Sequence, residues 1–213
     1  MRTAFLKPFD PKLRNVSEKI PENKINSKEA MEIAKLVLGI IKNQRQKKEK
    51  GVGLAAPQIG IFKRIILVDT HADGKKKLGK LKVFINPEII WKSKKEEEWY
   101  EGCFSTANIC GIVSRPISIK IKALKLKSLF VNTYPNRVWV WEPVEEKYTD
   151  YVARIFQHEV DHLNGKVFIS HITDPEKLHK VSKKEFPMYR KSWKNWPKKY
   201  SISKYNKLYS NDK

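Results

Sequence analysis

Cysteines and long apolar runs are scarce in this sequence. The two cysteines, Cys103 and Cys110, are too few for the disulfide framework of a small secreted protein. No stretch approaches the roughly 20 apolar residues that a membrane-spanning helix needs. Residues 1–12 also lack the apolar core of a signal peptide. We therefore expect a protein of the reducing cytoplasm that does not enter a membrane.

Acidic residues are scarce as well, with 23 aspartates and glutamates against 44 lysines and arginines, and the formal net charge is +21. This sign suits an anionic partner such as nucleic acid, although a lysine-rich proteome would produce the same excess. After residue 174, 12 basic and 3 acidic residues give a net charge of +9, with tyrosines and tryptophans interleaved. We predict that this tail is partly helical, over residues 175–184.

The remaining composition suits one globular domain. At 213 residues, 40% hydrophobic and 11% aromatic, the chain is long enough to bury a sizeable core. Helical spacing of apolar residues predicts one helix from Ser27, its N-cap, to about Lys48. The same spacing predicts a second helix over residues 148–163, which Asn164 and Gly165 would end.

Runs rich in isoleucine and valine predict strands between these helices, at residues 61–68, 81–86, 88–92 and 138–141. Asn86 and Pro87 are expected to separate the second strand from the third. Residues 112–121 alternate around Arg115 and Pro116, which predicts two short strands or one bent strand. A tight glycine-rich loop is expected at residues 51–60, an exposed turn at 71–80 and a solvated charge run at 94–98.

The second helix carries an H-E-x-x-H motif formed by His158, Glu159 and His162. Residues four apart share a helix face, so the two imidazoles can bind one metal ion while Glu159 lies beside it as a proton carrier. A glutamate between two surface histidines would give the same pattern without function. The motif alone therefore leaves a metal-dependent hydrolase and a solvated helix face both open.

A catalytic metal takes three protein ligands and keeps one open position, so a third ligand is needed. Cys103 is the best candidate because a thiolate is a strong ligand and Gly102 lets the backbone come close. Cys110 is expected to be a small buried apolar residue. His71, His171 and His179 lie outside any ligand spacing, and we expect surface or structural roles for them.

Three motifs together resemble the signature motifs of peptide deformylases. They are Gly51-Val-Gly-Leu-Ala-Ala-Pro-Gln58, Glu101-Gly-Cys-Phe-Ser105 and Gln157-His-Glu-Val-Asp-His162, in the order of the family. The resemblance covers residues 5–170, and the tail beyond is not matched. It implies an α+β fold in which short antiparallel sheets surround the central H-E-x-x-H helix, with an N-terminal helix and a basic, helical C-terminal extension. It also divides the chain into a catalytic domain, residues 1–172, and the extension, residues 173–213.

The activity that the resemblance implies is removal of the formyl group from the N-terminal formylmethionine of newly made polypeptides. Cys103, His158 and His162 would hold one divalent metal ion, ferrous iron in native family members, with zinc, nickel or cobalt able to substitute. Glu159 would take the proton of the attacking water and deliver it to the leaving amine. The Gln58 amide and the backbone N–H of Phe104 would stabilise the oxyanion.

Further roles follow from the same resemblance. Gly53 would offer its backbone to the substrate peptide, and the pocket for the methionine side chain would draw on Val52, Trp99, Tyr151 and Ile155. Asp161 and the pair of Glu101 and Arg115 would fix the orientation of the metal ligands. The sequence departs from the family pattern at Phe104, at residues 106–108 and at the additional residues 132–136, which concerns the loops on the substrate side.

Two alternative functions stay open at this point. A metalloprotease could use the same H-E-x-x-H helix, although such enzymes take a histidine or glutamate as third ligand. A deformylase-like protein could also serve chiefly as a ribosome- or RNA-binding module. We predict that the +9 tail docks on ribosomal RNA near the peptide exit, where phosphate contacts would make binding depend on salt. A plainly solvated tail is the competing interpretation.

Overall fold

The structure is a computed structural model that describes residues 5–47, 51–75, 78–130 and 137–210. Within these residues it contains four α-helices and eight strands. The helices are α1 (Lys28–Gln46), α2 (Asp150–Leu163), α3 (Phe186–Ser192) and α4 (Ile202–Ser210). The strands are β1 (Gly53–Ala55), β2 (Ile65–Asp69), β3 (Leu81–Lys92), β4 (Glu96–Gly102), β5 (Ile109–Pro116), β6 (Ser118–Phe130), β7 (Arg137–Thr149) and β8 (Leu178–Lys180).

The strands form two antiparallel sheets, and the predicted α+β class is confirmed. The larger sheet has the order β1-β2-β3-β6-β7, and the smaller one has the order β4-β5-β8. No helix in the described part of the chain has the length and apolar character needed to cross a bilayer.

The larger sheet is covered by a helix on each face. On β2, Ile65 and Leu67 belong to the core that faces α1, whereas Ile66 and Val68 belong to the core that faces α2. Successive strand residues point to opposite faces, so a strand buried on both sides must be apolar throughout. This explains the apolar run of residues 65–68, before Asp69 ends the strand. It also places α2, with its H-E-x-x-H motif, directly on the sheet.

The helix α1 agrees with its prediction at the start. The Ser27 side chain caps it by accepting a hydrogen bond of 3.2 Å from the Ala30 N–H. The helix ends at Gln46, and the expected end at Lys48 lies outside the described residues. The helix α2 begins at Asp150 rather than at residue 148, because Tyr148 and Thr149 still pair with β6 as the end of β7.

Four strand predictions were wrong in extent. Residues 81–92 form one strand, whose register shifts at Asn86 and Pro87, because a bulge accommodates a proline without ending the pairing. β2 starts only at Ile65. β7 is much longer than residues 138–141, and its glutamates pair with lysines of β6: Glu142 lies opposite Lys125 and forms a diagonal ion pair of 3.0 Å with Lys127. The additional residues 132–136 lie outside the described residues.

The helix predicted over residues 175–184 was wrong. A 3₁₀ turn at Pro175–Lys177 leads into β8, which pairs with β5 through Cys110 and His179 among others. Leu178 and His179 are both fully buried, because β5 and the helices of the tail cover this strand. The helices of the tail lie further on, and Tyr189, Trp196 and Tyr205 are buried between them and the smaller sheet.

Candidate active site

The predicted metal ligands lie together in the structure. Cys103 follows the last residue of β4, and His158 and His162 lie on successive turns of α2. One donor atom from each of these residues lies within 4.8 Å of the others. The Sγ atom of Cys103 is 3.2 Å from Nε2 of His162. The geometry therefore brings a sulfur and two imidazole nitrogens to one point.

The chemistry of this donor set fits a divalent metal ion. Burial alone would raise the pKa of the Cys103 thiol, but His162 and His158 outweigh burial and hold that pKa well below its ordinary value. A thiolate is the form of cysteine that binds metals. Burial would lower the pKa of His158, but Cys103 and Glu101 hold it well above the ordinary value. The Cys103 thiolate favours a proton on His158, and a bound divalent cation would replace that proton.

Glu101 fixes the ring of His158 from behind. Its Oε2 accepts a hydrogen bond of 2.9 Å from Nδ1 of His158, which leaves the other ring nitrogen for a metal. Arg115 donates two further bonds to this carboxylate, of 2.6 and 2.9 Å, and Arg154 donates one of 2.8 Å. Burial would raise the pKa of Glu101, but Arg115 and His158 keep it well below its ordinary value. The carboxylate is therefore held as an anion in a buried place.

Arg154 is a member of this network that the motifs did not indicate. It is buried, and beside Glu101 it also donates to the carbonyl oxygen of Val113, at 2.9 Å. A signal was present in the sequence, because Arg154, His158 and His162 recur every four residues on one face of α2. An arginine on the ligand face of a helix indicates a buried acid opposite it.

Asp161 connects Arg115 of this ion-pair network to His171, which follows α2 in the chain. It accepts hydrogen bonds from Arg115, at 2.9 Å, and from Nε2 of His171, at 2.8 Å. Burial would raise the pKa of Asp161, but the bond from His171 and the charge of Arg115 lower it. The structure thus places the predicted orienting residues Glu101, Arg115 and Asp161 in one chain of ion pairs.

Gln58 points its amide group at the donor cluster. Its Oε1 accepts a hydrogen bond of 2.8 Å from the Ala55 N–H, which settles the orientation of the buried amide. Nε2 then lies 3.3 Å from Sγ of Cys103 and 3.3 Å from the hydroxyl of Ser105. Ser105 is a second contact that the motifs did not assign. The amide N–H groups of Gln58 are therefore directed at the edge of the donor cluster, toward Cys103 and Ser105.

Phe104 begins the 3₁₀ turn Phe104–Thr106 directly after Cys103. Its side chain is partly exposed and packs on the ring of Phe5, with 4.9 Å between the ring centroids. Thr106, which departs from the family pattern after Ser105, holds this loop through its hydroxyl. The hydroxyl lies 3.1 Å from the carbonyl oxygen of Cys103 and 3.2 Å from that of Ile109. The departure from the family pattern thus keeps the Cys103 loop tied to β5.

Glu159 is buried beside the donor cluster without a full set of partners. Its Oε2 atom has no hydrogen-bond partner among the described residues, and the same holds for Nδ1 of His162. Burial raises the pKa of Glu159 to about 7, although His158 and His162 oppose the shift. A Cβ atom on Gly53 would lie 2.2 Å from Oε1 of Glu159. Only glycine at this position lets β1 approach the carboxylate so closely.

The residues expected to contact substrate lie on three elements. Tyr151, Ile155 and Glu159 share one face of α2, and Ile155 contacts β1 at Gly53. Val52 and Tyr151 pack against the core between α2 and the larger sheet. Trp99 lies on β4, where its ring stacks on Tyr100. Whether a methionine side chain binds among these residues stays a prediction.

An α+β fold in which an H-E-x-x-H helix meets a thiol suits the class of hydrolases that hold a divalent metal ion. The family described as polypeptide deformylase matches residues 4–178. The chain therefore belongs to the polypeptide deformylase family, amidohydrolases that remove the formyl group from N-terminal methionine and use a divalent metal.

Individual relatives agree with this assignment. A peptide deformylase of Pseudothermotoga lettingae is 38% identical over 144 residues, which is 68% of this chain and 71% of the relative. The class I type b peptide deformylase of Acinetobacter baumannii, solved with Met-Ala-Ser bound, superposes with a TM-score of 0.64 and 30% identity over 79% of this chain and 97% of that one. A probable peptide deformylase of Synechococcus phage S-SSM7 gives a TM-score of 0.62 and 30% identity over 80% and 99%.

Proposed function

We propose that this chain is an active deformylase that hydrolyses the formyl group of nascent formyl-methionyl polypeptides with Glu159 as proton carrier. The observation that carries this proposal is the buried carboxylate of Glu159, which keeps an unpartnered oxygen, within the described residues, beside the cluster of Cys103, His158 and His162. A protein that only bound RNA would have no use for a buried, unpaired acid, which costs folding free energy.

The donor set supports one divalent ion held by Cys103, His158 and His162. We propose ferrous iron as the native ion, with zinc, nickel or cobalt as substitutes, since thiolate and imidazole ligands suit all of these. When bound, the ion supplies Lewis acidity to a water molecule and to the formyl carbonyl. Nascent chains are made in the cytoplasm, and we place the reaction there.

The protein groups would move the proton and bind the developing charge. Glu159 takes a proton from the attacking water and later delivers it to the amine nitrogen as the C–N bond breaks. The raised pKa of Glu159, about 7, suits both roles because the group is then neither a strong acid nor a strong base near neutral pH. Nε2 of Gln58 and the backbone N–H of Phe104 stabilise the oxyanion, and the bond from Ala55 to Gln58 supports the required orientation in advance.

The substrate peptide is proposed to lie along β1, against Gly53, with its first side chain between Val52, Ile155, Tyr151 and Trp99. The close contact of Gly53 with Ile155 and Glu159 supports a path along this strand. Met-Ala-Ser bound to the Acinetobacter baumannii enzyme has the chemistry of a deformylated product, and it supports a methionine-first peptide as the ligand here.

Turnover of a formyl-Met-Ala peptide by anaerobically purified protein tests the proposal. We expect release of formate, and we expect Glu159→Gln to lower kcat by about 10²- to 10⁴-fold. Equal turnover by the two proteins would refute the role of Glu159. Cleavage of an internal peptide bond without formate release would instead favour the metalloprotease alternative.

Cys103→Ala tests the donor set separately. We expect the variant to lose bound metal, with Cys110→Ala as a matched control that retains it, because Cys110 lies outside the cluster. If Cys103→Ala keeps its full metal content, Cys103 is not a metal ligand. The metal is measured by elemental analysis of the purified proteins.

We also propose that lysines of the basic extension contact ribosomal RNA. Lys184, Lys191, Lys194 and Lys204 are exposed, which supports phosphate contacts. Tyr189, Trp196 and Tyr205 are buried and are not available to stack on bases, so the proposal is limited to the charges.

Co-sedimentation with ribosomes tests this contact. Replacing Lys191 and Lys194 by glutamine is expected to weaken co-sedimentation and its dependence on salt. Lys92 and Lys94, which are exposed on another part of the surface, give a control of equal net charge when replaced in the same way. Identical behaviour of the two double variants at low and moderate salt would exclude a specific role of the extension.

A further inference from the structure

The helix α3 lies beyond residue 178, where the match to the family ends. It is anchored on β4 by Tyr189, whose side chain is fully buried. The ring of Tyr189 meets the ring of Tyr100 edge-on at 5.5 Å and that of Trp196 at 5.3 Å. Aromatic packing of this kind holds the helix in a fixed position relative to the strand. The next residue, Arg190, is therefore presented at a defined place.

Arg190 joins two elements of the family-matched region. Its Nε donates a hydrogen bond of 2.9 Å to the hydroxyl of Tyr100 on β4. Its Nη2 donates one of 3.0 Å to the carbonyl oxygen of Gly74 and another to that of Lys75, in the turn after β2. The planar guanidinium has several donors in a rigid fork, so it can serve acceptors on both elements at once.

The turn that Arg190 holds lies on Tyr151. Gly74 has a φ of +72°, and a Cβ atom there would lie 2.8 Å from Cδ2 of the Tyr151 ring. Ala72 of the same turn is buried in the core that includes Val52, Ile155 and Tyr151. The position of this turn thus sets the position of the Tyr151 side chain.

Tyr151 lies two helical turns from Glu159 on the same face of α2, with Ile155 between them. A substrate side chain that starts at the reacting centre and follows this face would reach Tyr151 at its far end. Trp99 also touches the extension, since its ring centroid is 6.0 Å from that of Trp193. The buried Nε1 of Trp99 has no partner among the residues that the structure describes.

We propose that Arg190 is a positioning residue for selection of the methionine side chain: by joining the turn after β2 to β4, it fixes Tyr151 and Trp99 as the far wall of the pocket. The inference rests on the proposed deformylase function. It gives the extension a part in substrate choice that is independent of any contact with RNA.

The test compares two substrates, formyl-Met-Ala and formyl-Ala-Ala, with wild type and Arg190→Ala. We expect the variant to show a KM for formyl-Met-Ala raised about tenfold, with kcat and the kinetics of formyl-Ala-Ala nearly unchanged. We expect the ratio of kcat/KM between the two substrates to fall by about tenfold, the scale on which a side-chain pocket discriminates. Loss of folded protein alone would lower both rates equally and leave the ratio at the wild-type value.

Two further variants complete the design. Met188→Ala truncates an exposed side chain on the same helix and is expected to keep the wild-type ratio. Tyr100→Phe keeps the aromatic packing, removes one acceptor of Arg190 and is expected to lower the ratio to an intermediate value. If Arg190→Ala does not fold, Tyr100→Phe tests the role of Arg190 in its place.

The inference is overturned if folded Arg190→Ala and Tyr100→Phe both keep the wild-type ratio while wild type hydrolyses formyl-Met-Ala. In that case the proposed function stands. Failure of wild type to release formate would overturn the proposed function, and the present inference with it.

Discussion

The Oε2 atom of Glu101 lies 2.9 Å from Nδ1 of His158, so a strand of the smaller sheet sets the ring orientation of a proposed metal ligand on the central helix. Groups behind a metal ligand commonly change metal affinity 10- to 100-fold when they are removed. Arg115 and Arg154 hold Glu101 in place for this purpose.

We therefore predict that Glu101→Gln binds its metal about 10- to 100-fold more weakly, because the amide accepts a weaker bond from His158 and can present its NH₂ group instead. Competition with a chelator of known affinity measures the change. Glu97→Gln is the matched control on the same strand, where the side chain is exposed, and it should bind metal like wild type.

Replacement of Gly53 should abolish activity with little effect on the metal. In Gly53→Ala the added methyl group would lie 2.2 Å from Oε1 of Glu159, so the carboxylate must move away. We expect kcat to fall by at least about 10²-fold, as for other losses of a general base, while metal content is unchanged. Wild-type kcat in this variant would contradict the close packing of β1 on Glu159.

Gly39 offers a contrasting control within α1. A Cβ atom there would have no heavy atom within 4 Å among the described residues, apart from its own helix and chain neighbours. Alanine favours helix over glycine by about 1 kcal/mol, so Gly39→Ala should raise the free energy of unfolding by up to that amount. Its activity should equal that of wild type.

The two cysteines should differ in their reaction with a thiol reagent. The pKa of Cys103 is well below its ordinary value because the histidines beside it outweigh burial, whereas burial raises that of Cys110 to about 12. In chelator-treated protein at neutral pH, iodoacetamide should modify Cys103 and leave Cys110 intact. Peptide mass spectrometry after brief labelling distinguishes the two. Added metal should protect Cys103.

His179 should make the folded state sensitive to mild acid. Burial lowers the pKa of this histidine below its ordinary value of 6.5, so the unfolded chain binds the proton more readily. The stability that neutral His179 provides is present above about pH 6.5 and is lost as the pH falls below it. Thermal unfolding at pH 7.5 and 5.5 should therefore show a larger loss in wild type than in His179→Gln. An equal loss in both proteins would mean that His179 does not contribute.

The clustering of Cys103, His158 and His162 could be predicted because metal chemistry fixes the spacing of its ligands. Two imidazoles four residues apart must share a helix face, and a metal needs a further strong ligand, which only Cys103 offered in a suitable setting. Glu101 and Arg115 were found through the resemblance. The role of Arg154 was missed because its acid lies far away in the chain, at Glu101, and only the folded structure brings them together.

The extension could not be predicted in the same way. Its lysines suggested a charged helix over residues 175–184, but Leu178 and His179 are buried by a partner strand 69 residues earlier, at Cys110 and Gly111. Long-range pairing of this kind overrides local propensity. The interleaved aromatics were interpreted together with the lysines as an RNA-binding pattern, whereas Tyr189 and Trp196 are packed in a core.

The pairing of β8 with β5 bears on how the enzyme is made. The smaller sheet, which positions Cys103 and Glu101, is completed only by the strand at residues 178–180. Contacts between distant segments form only after the intervening chain is present. We expect a ribosome-bound chain to lack the finished smaller sheet, and with it the fixed positions of Cys103 and Glu101, until β8 has been made.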